Sequence, residues 1–295
     1  STIYAAPITQ ATSGSNHGYD VIDPHNINEE IGTEEELRRI AVKLKSLEMN
    51  WLQDIVPNHM AFSTSNFRLM DVLERGPHSP YYRYFDINWN HHDISIKGKI
   101  MIPILGKELE ECIEAGEIKV ELTEKGAFVK YYDNEFPLSV KALKVMLSSL
   151  DNKEIKDGLK SLLSVAADAD LETWEKFKAE IIDSIKNCRV EIEQLFERVN
   201  SDKALFKEVI NNLYYKLSWW KKSEQEMNYR RFFTVNSLIC LKMEESATFE
   251  EYHLLIKKLY DEGLIQGVRI DHIDGLYDPK GYVDKLRELM GKDCY

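Results

Sequence analysis

The sequence predicts an α/β fold: part of a (β/α)8 TIM barrel, about three of its eight strands, with a large, mainly helical insertion after the second visible strand. Three short apolar runs carry this reading, and each ends in polar residues. Thr2-Ile3-Tyr4-Ala5-Ala6-Pro7-Ile8 closes around a proline and leads into His17-Gly18-Tyr19-Asp20. Asn50-Trp51-Leu52-Gln53-Asp54-Ile55-Val56 is broken by Pro57, a residue that cannot donate to a sheet ladder and so marks a strand's exit. Gly267-Val268-Arg269-Ile270 runs into Asp271-His272-Ile273-Asp274. Buried strands with polar residues at their C-terminal ends describe the face of a parallel β/α barrel on which βα-loops build active sites.

Roughly two hundred residues separate His59 from Gly267, whereas a single barrel repeat needs only about 30. The expected organisation is therefore partial barrel strands and βα-loops over 1–62, an insertion subdomain over 63–228, and a return to the barrel over 229–295. The insertion reads first as small β structure over 84–89 and 99–105, with a hairpin over 117–132 that turns near Gly126. From Trp174, apolar positions Ile181, Ile185, Cys188, Ile192, Leu195 and Val199 recur at three- and four-residue spacing. That pattern predicts one long helix whose stripe packs against neighbours and carries no chemistry. Leu205 to Trp220 continues the helical pattern. Thr248-Phe249-Glu250-Glu251 has capping-box spacing, followed by Tyr252, Ile256 and Leu259 as the buried stripe of a barrel helix. Gly263 and Gly267 bracket the turn from that helix into the last strand.

Composition narrows the function classes. With 43% hydrophobic and 30% charged residues, the 295-residue chain can bury a large core. The net charge of −12 disfavours nucleic acid and anionic membrane as partners. Cys112, Cys188, Cys240 and Cys294 are widely spaced with no C-x-x-C pair, which points to reduced thiols and a cytoplasmic setting rather than a zinc site or disulfide framework. No apolar run approaches the ~18 residues of a membrane span.

Arg269 and Asp271 stand two apart in a strand, so both point into the same space. A neighbouring guanidinium favours the ionised carboxylate and fixes its orientation, which suits attack on an electrophilic carbon. An isolated R-x-D is usually a structural ion pair; here Asp54, Asn58 and His59 gather at a second strand end, and Tyr19 and Asp20 follow a third.

Four blocks taken together, HGYDVIDP, DIVPNHMAF, NYRRFF and RIDHIDGLYDPKGY, resemble the α-amylase superfamily of glycoside-active enzymes, over the whole chain. The resemblance implies a retaining mechanism with Asp271 as nucleophile, Arg269 keeping it charged and aimed, and His59 hydrogen-bonding the sugar in the −1 site. It further implies that Asp54 braces this network, that Tyr19 is the platform under that sugar with Asp20 beside it, and that His272 and Asp274 make acceptor-side contacts. Many amylases carry Lys-His where this chain has Asp274-Gly275, which argues against an ordinary hydrolase. The contexts are similar to the superfamily's trehalose-forming branch. That likeness implies an intramolecular transglucosylation of maltooligosaccharides, from the reducing-end α-1,4 bond to α,α-1,1, with the insertion forming part of the enclosure. The alternatives are another α-glucan hydrolase or transglycosylase and a catalytically incomplete glucan-binding fragment. No cofactor is expected. Asn58 corresponds to a calcium-binding position in some relatives, but no set of about six to eight oxygen ligands is evident. His91-His92-Asp93 reads as a solvated loop, so no metal is expected. Ser1-Thr2-Ile3-Tyr4 begins inside a strand and Tyr295 ends at the start of another, as in a segment of a longer enzyme. The acid/base glutamate and a further aspartate are expected outside this chain, leaving the segment alone without turnover.

Overall fold

A computed structural model describes residues 1–166 and 169–295. Along the chain its strands are β1 (Thr2–Ala5), β2 (Thr9–Ala11), β3 (Val21–Ile27), β4 (Asn50–Ile55), β5 (His59–Ala61), β6 (Ile100–Leu105), β7 (Ile118–Thr123), β8 (Gly126–Tyr131), β9 (Asn134–Pro137), β10 (Tyr215–Trp219), β11 (Leu238–Cys240) and β12 (Gly267–Ile270). The chain divides into two compact units. The first comprises Ser1–Phe67, Arg83–Asp86 and Arg230–Tyr295; the second comprises Arg68–Tyr82 and Ile87–Tyr229.

The first unit is built on a parallel sheet of order β1-β4-β12. Its register sets Tyr4 against Leu52 and Arg269 against Asp54. The helix Glu34–Ser46 precedes β4 and buries Leu37 and Leu44; Thr33 and Glu36 close a reciprocal capping box at its start. Helices Ser246–Tyr252 and Leu254–Asp261 precede β12 and bury Phe249, Tyr252, Leu255, Ile256 and Leu259. Full burial of such side chains contributes about 1.5–3 kcal/mol each, which fixes the strand ends that carry polar residues. Two antiparallel pairs, β2 with β3 and β5 with β11, decorate those ends. On the outer side of β12, Tyr295 N–H donates to the Gln266 carbonyl (3.2 Å) and Val268 N–H donates to the Tyr295 carbonyl (2.9 Å), the pattern of a parallel bridge.

The second unit holds the parallel pair β6–β10, the antiparallel meander β7-β8-β9, and helices Val140–Ser148, Lys153–Ala166, Leu171–Asn187, Arg189–Ser201 and Lys203–Asn211. Among the described residues, no helix is long and apolar enough to cross a membrane.

Four local expectations are corrected. The long helix from Trp174 is two helices, divided at Cys188, whose φ of −120° and ψ of 38° break the helical path without any glycine or proline. The stripe survives the division: Trp174, Ile181, Ile192, Leu195 and Val199 are buried. Tyr215–Trp219 is a strand, not a helical continuation, because its aromatic and apolar run pairs in parallel with Ile100–Leu105. Residues 84–89 form only isolated bridges at Phe85 and Ile87. Thr248 is not a cap: the helix starts at Ser246, with Glu245 at its N-cap making no side-chain hydrogen bond.

Candidate functional site

Asp54 is 1% exposed at the end of β4 and accepts four hydrogen bonds. Tyr4 Oη donates to its Oδ2 at 2.5 Å and Tyr19 Oη at 2.7 Å. Arg269 Nη1 reaches Oδ2 at 2.9 Å and Oδ1 at 3.1 Å, because the sheet register sets it directly across from Asp54. The same nitrogen donates to Asp271 Oδ1 at 2.5 Å. One guanidinium thus bridges two carboxylates, a brace below and the residue above it. Burial alone would pull the Arg269 guanidinium down, but its hydrogen bonds and charge contacts with Asp54 and Asp271 outweigh that and hold it above its ordinary value. For Tyr19, burial first and then the hydrogen bonds to Asp54 and Tyr4 push the phenol up; for Tyr4 the Asp54 hydrogen bond leads, with burial second. Both phenols therefore remain donors at neutral pH.

Asp271 is anchored by its own backbone: its N–H donates to the Ile55 carbonyl at 2.9 Å, continuing the β4–β12 ladder. The next residue, His272, sits in the left-handed region at φ 45°, a conformation that costs roughly 1–3 kcal/mol for a residue with a Cβ. This reversal turns the chain immediately beyond the carboxylate. Asp271 Oδ1 is taken by Arg269, whereas Oδ2 faces His272 Nε2 at 3.9 Å.

His59 opens β5 and is 1% exposed. Its ring lies 4.3 Å from that of Phe232, which in turn lies 4.6 Å from the His272 ring. Burial pushes the His59 imidazole down to about 4; the Tyr19 carbonyl opposes this, and the charges of His272 and Arg230 reinforce it while Asp20 opposes it. Nε2 is buried without a hydrogen bond of normal geometry in the structure.

The structure thus brings Asp54, Arg269, Asp271 and Tyr19 into one hydrogen-bonded cluster, and His59, His272 and Phe232 into one aromatic row joined to it through His272. Asp20 stands apart, accepting from Thr12 and Ser15 hydroxyls, and reaches His59 only through its charge. Asp274 has a side chain 85% exposed, and its contact is His272 Nδ1 at 3.9 Å. Tyr4, Phe232 and Arg230 belong to the site as well, and the sequence alone assigns them no role. Tyr4 could have been found by its place on the strand facing Asp54; the NYRRFF block contains the other two. Among the described residues, no group of three His, Cys, Asp or Glu side chains is arranged to hold a metal ion.

A second buried histidine makes the acid behaviour testable. His253 donates from Nδ1 to the Phe249 carbonyl (2.6 Å) and accepts at Nε2 from Tyr282 Oη (2.8 Å). Burial pushes it down to about 4 as well, with the Phe249 carbonyl opposing. In the unfolded chain both imidazoles bind a proton near their ordinary 6.5, so between pH 6.5 and about 4 the unfolded state holds more protons than the native one. Stability is fully present above this window and falls as pH drops through it, by about 1.4 kcal/mol per pH unit per histidine. Urea midpoints at pH 7 and pH 5 check this: a marked fall is expected, shallower in His253→Gln, and an unchanged midpoint would contradict it.

Residues 1–107 match the alpha-amylase catalytic domain, and the mixed α/β content fits part of a TIM-barrel enzyme of that class. Within that class the chain is similar along its full length to maltooligosyl trehalose synthases. A curated relative of that name from Mycobacterium tuberculosis is 28% identical over 297 residues, covering 100% of this chain and 29% of the relative. A solved glycosyltrehalose synthase from strain DSM5389 is 36% identical with a TM-score of 0.67, covering 99% of this chain and 32% of that one. The maltooligosyltrehalose synthase structure from Arthrobacter ramosus is 26% identical with a TM-score of 0.68, covering 98% and 29%. The chain therefore spans under a third of the length of these relatives, and the resemblance read from its four motif blocks is borne out.

Proposed function

We propose that the protein rearranges maltooligosaccharides by intramolecular transglucosylation, turning the reducing-end α-1,4 bond into an α,α-1,1 bond. The observation that carries the reading is Asp271 at the tip of β12, clamped by Arg269, which is braced in turn by the buried Asp54. In this reading Asp271 Oδ2 attacks the anomeric carbon, the C1–O bond to the reducing-end glucose breaks, and a second carboxyl group protonates the departing oxygen. The freed glucose turns over in place and its anomeric hydroxyl attacks the glycosyl ester, giving its proton back to that second carboxylate and releasing Asp271 as a carboxylate; two inversions leave the configuration retained. Holding that glucose raises its effective concentration above that of water as a nucleophile.

The remaining site residues take supporting parts. His59 donates to a hydroxyl of the bound glucosyl unit, Tyr19 lies beneath that unit with Asp20 behind, and His272 and Asp274 address the acceptor. We further assign 1–62 and 229–295 to a barrel contributing about three of eight strands, and 63–228 to its insertion; the parallel order β1-β4-β12 supports this. The substrate is an α-glucan oligosaccharide rather than nucleic acid or membrane, as the net charge of −12 favours, and the widely spaced cysteines favour the cytoplasm as its setting.

Product analysis tests the reading. The protein at its natural length, given maltopentaose, is expected to consume reducing ends without releasing free glucose. Release of glucose in step with bond cleavage would make it a hydrolase instead.

A further inference from the structure

We propose that Arg230 is a positioning residue whose guanidinium serves as a built-in cation for a cage of four oxygens, and that through Asn58 it fixes the tautomer in which His59 meets its substrate. The role given to His59 rests on the reading above; the cage and the tautomer do not.

Four separate stretches of the first unit send an oxygen to this one side chain. Arg230 Nε donates to Asp86 Oδ2 at 2.6 Å, Nη1 to Asn58 Oδ1 at 3.1 Å and to the Gly275 carbonyl, and Nη2 to the Leu241 carbonyl at 3.2 Å. One acceptor follows β4, one follows β12, one follows β11, and one lies in Arg83–Asp86. Backbone bonds already tie three of these stretches together, with Leu241 N–H donating to the Asn58 carbonyl (3.0 Å), Asp86 N–H to the Cys240 carbonyl (2.9 Å) and Arg230 N–H to the Asp86 carbonyl (2.9 Å), and the four oxygens they leave facing one side chain repel one another unless a cation lies at their centre. A guanidinium is suited to this because it is always charged and presents five donors in a fixed plane. An ammonium, with three donors on a compact head, cannot span the same four positions.

The consequence for His59 follows from donor and acceptor inventory. Because Asn58 Oδ1 receives Arg230, the amide cannot flip: the reverse orientation would set its NH2 against the guanidinium, donor to donor. Asn58 Nδ2 is thereby aimed at His59 Nδ1 (3.3 Å) and Cys240 Sγ (3.7 Å). An amide nitrogen only donates, so His59 Nδ1 must accept, and the ring proton sits on Nε2. Nε2 has no hydrogen bond of normal geometry, and the Tyr19 carbonyl that faces the ring can only accept, which agrees with a ring proton on the side away from Asn58. The relay presents an N–H rather than a lone pair, the polarity needed to hold a sugar hydroxyl oxygen.

Gly275 supplies an independent handle on the same amide. A Cβ there would stand 2.7 Å from Asn58 Oδ1 and 3.1 Å from its Cγ, so any side chain at 275 must displace the amide that Arg230 holds.

The test labels histidine ring nitrogens with 15N in this chain and reads the His59 tautomer by NMR, assigned with His59→Gln. Wild type is expected to show Nε2–H. Arg230→Ala and Gly275→Ala are each expected to lose that signature, and millimolar guanidinium to restore it in Arg230→Ala but not in Gly275→Ala. Arg230→Lys, which keeps charge and most of the bulk, is expected to lose it too and serves if the alanine variant does not fold. At natural length, Arg230→Ala is expected to lower kcat/KM roughly tenfold to a hundredfold, with recovery on added guanidinium. An Nδ1–H tautomer in wild type, or an unchanged Nε2–H signature in both Arg230 variants, would overturn the proposal. Absence of transglucosylation with the tautomer results intact would overturn the assigned reaction and leave the cage standing.

Discussion

Asp271→Asn is expected to lower kcat by at least roughly 10⁴-fold, about 5 kcal/mol of transition-state stabilisation, while maltooligosaccharide affinity changes by less than about tenfold. Asparagine keeps the shape and can still accept from Arg269 through its Oδ1, so the cluster's geometry is preserved. What disappears is the oxygen able to form a bond to carbon. The free Oδ2 of the native residue, 3.9 Å from His272 Nε2, becomes an amide nitrogen that cannot attack. Steady-state kinetics on maltopentaose together with calorimetric binding separate the two quantities, and turnover within about a hundredfold of wild type would remove Asp271 from the chemistry.

The largest effect on stability is expected at Asp54. Its carboxylate, 1% exposed, accepts from Tyr4, Tyr19 and twice from Arg269, so Asp54→Ala leaves two phenols and a guanidinium without their shared acceptor. Because the Arg269 side chain is 44% exposed, water offsets part of this loss, and the cost is about 2–3 kcal/mol. Asp54→Asn keeps an acceptor oxygen for the phenols while losing the charge opposite Arg269, and is expected to cost about 1–3 kcal/mol. Arg269 is then held by Asp271 alone, so both variants should lose activity as well. Denaturant midpoints at pH 7 read the order: alanine worst, asparagine intermediate. Two variants within about 1 kcal/mol of wild type would mean that the brace carries little.

The two carboxylates show what could be read from sequence and what could not. Arg269 and Asp271 share one side of β12 because strand residues two apart do so, and that rule needs no knowledge of the fold. Pro57 marked where β4 ends, which placed Asp54 and His59 near a strand tip. That Asp54 lies across from Arg269 depends on sheet register, set by packing between segments 215 residues apart. Arg230 was invisible in the same way: its partner Asn58 lies 172 residues away, and no local spacing announces the pairing. The division of the Trp174 helix at Cys188 left no trace because neither glycine nor proline marks it. Tyr215–Trp219 misled for a related reason. A short buried strand and a buried helical turn have similar composition, and only the presence of Ile100–Leu105 beside it decides between them.

Trapping the covalent intermediate tests the role of Asp271 most directly. The protein at its natural length is incubated with a fluorinated maltosyl fluoride, which forms the glycosyl ester quickly and releases it slowly, then digested and analysed by mass spectrometry. A maltosyl adduct is expected on the Arg269–Asp274 segment, localised to Asp271 and missing from Asp271→Asn. An adduct on any other carboxylate, or time-dependent inactivation undiminished in Asp271→Asn, would contradict that role.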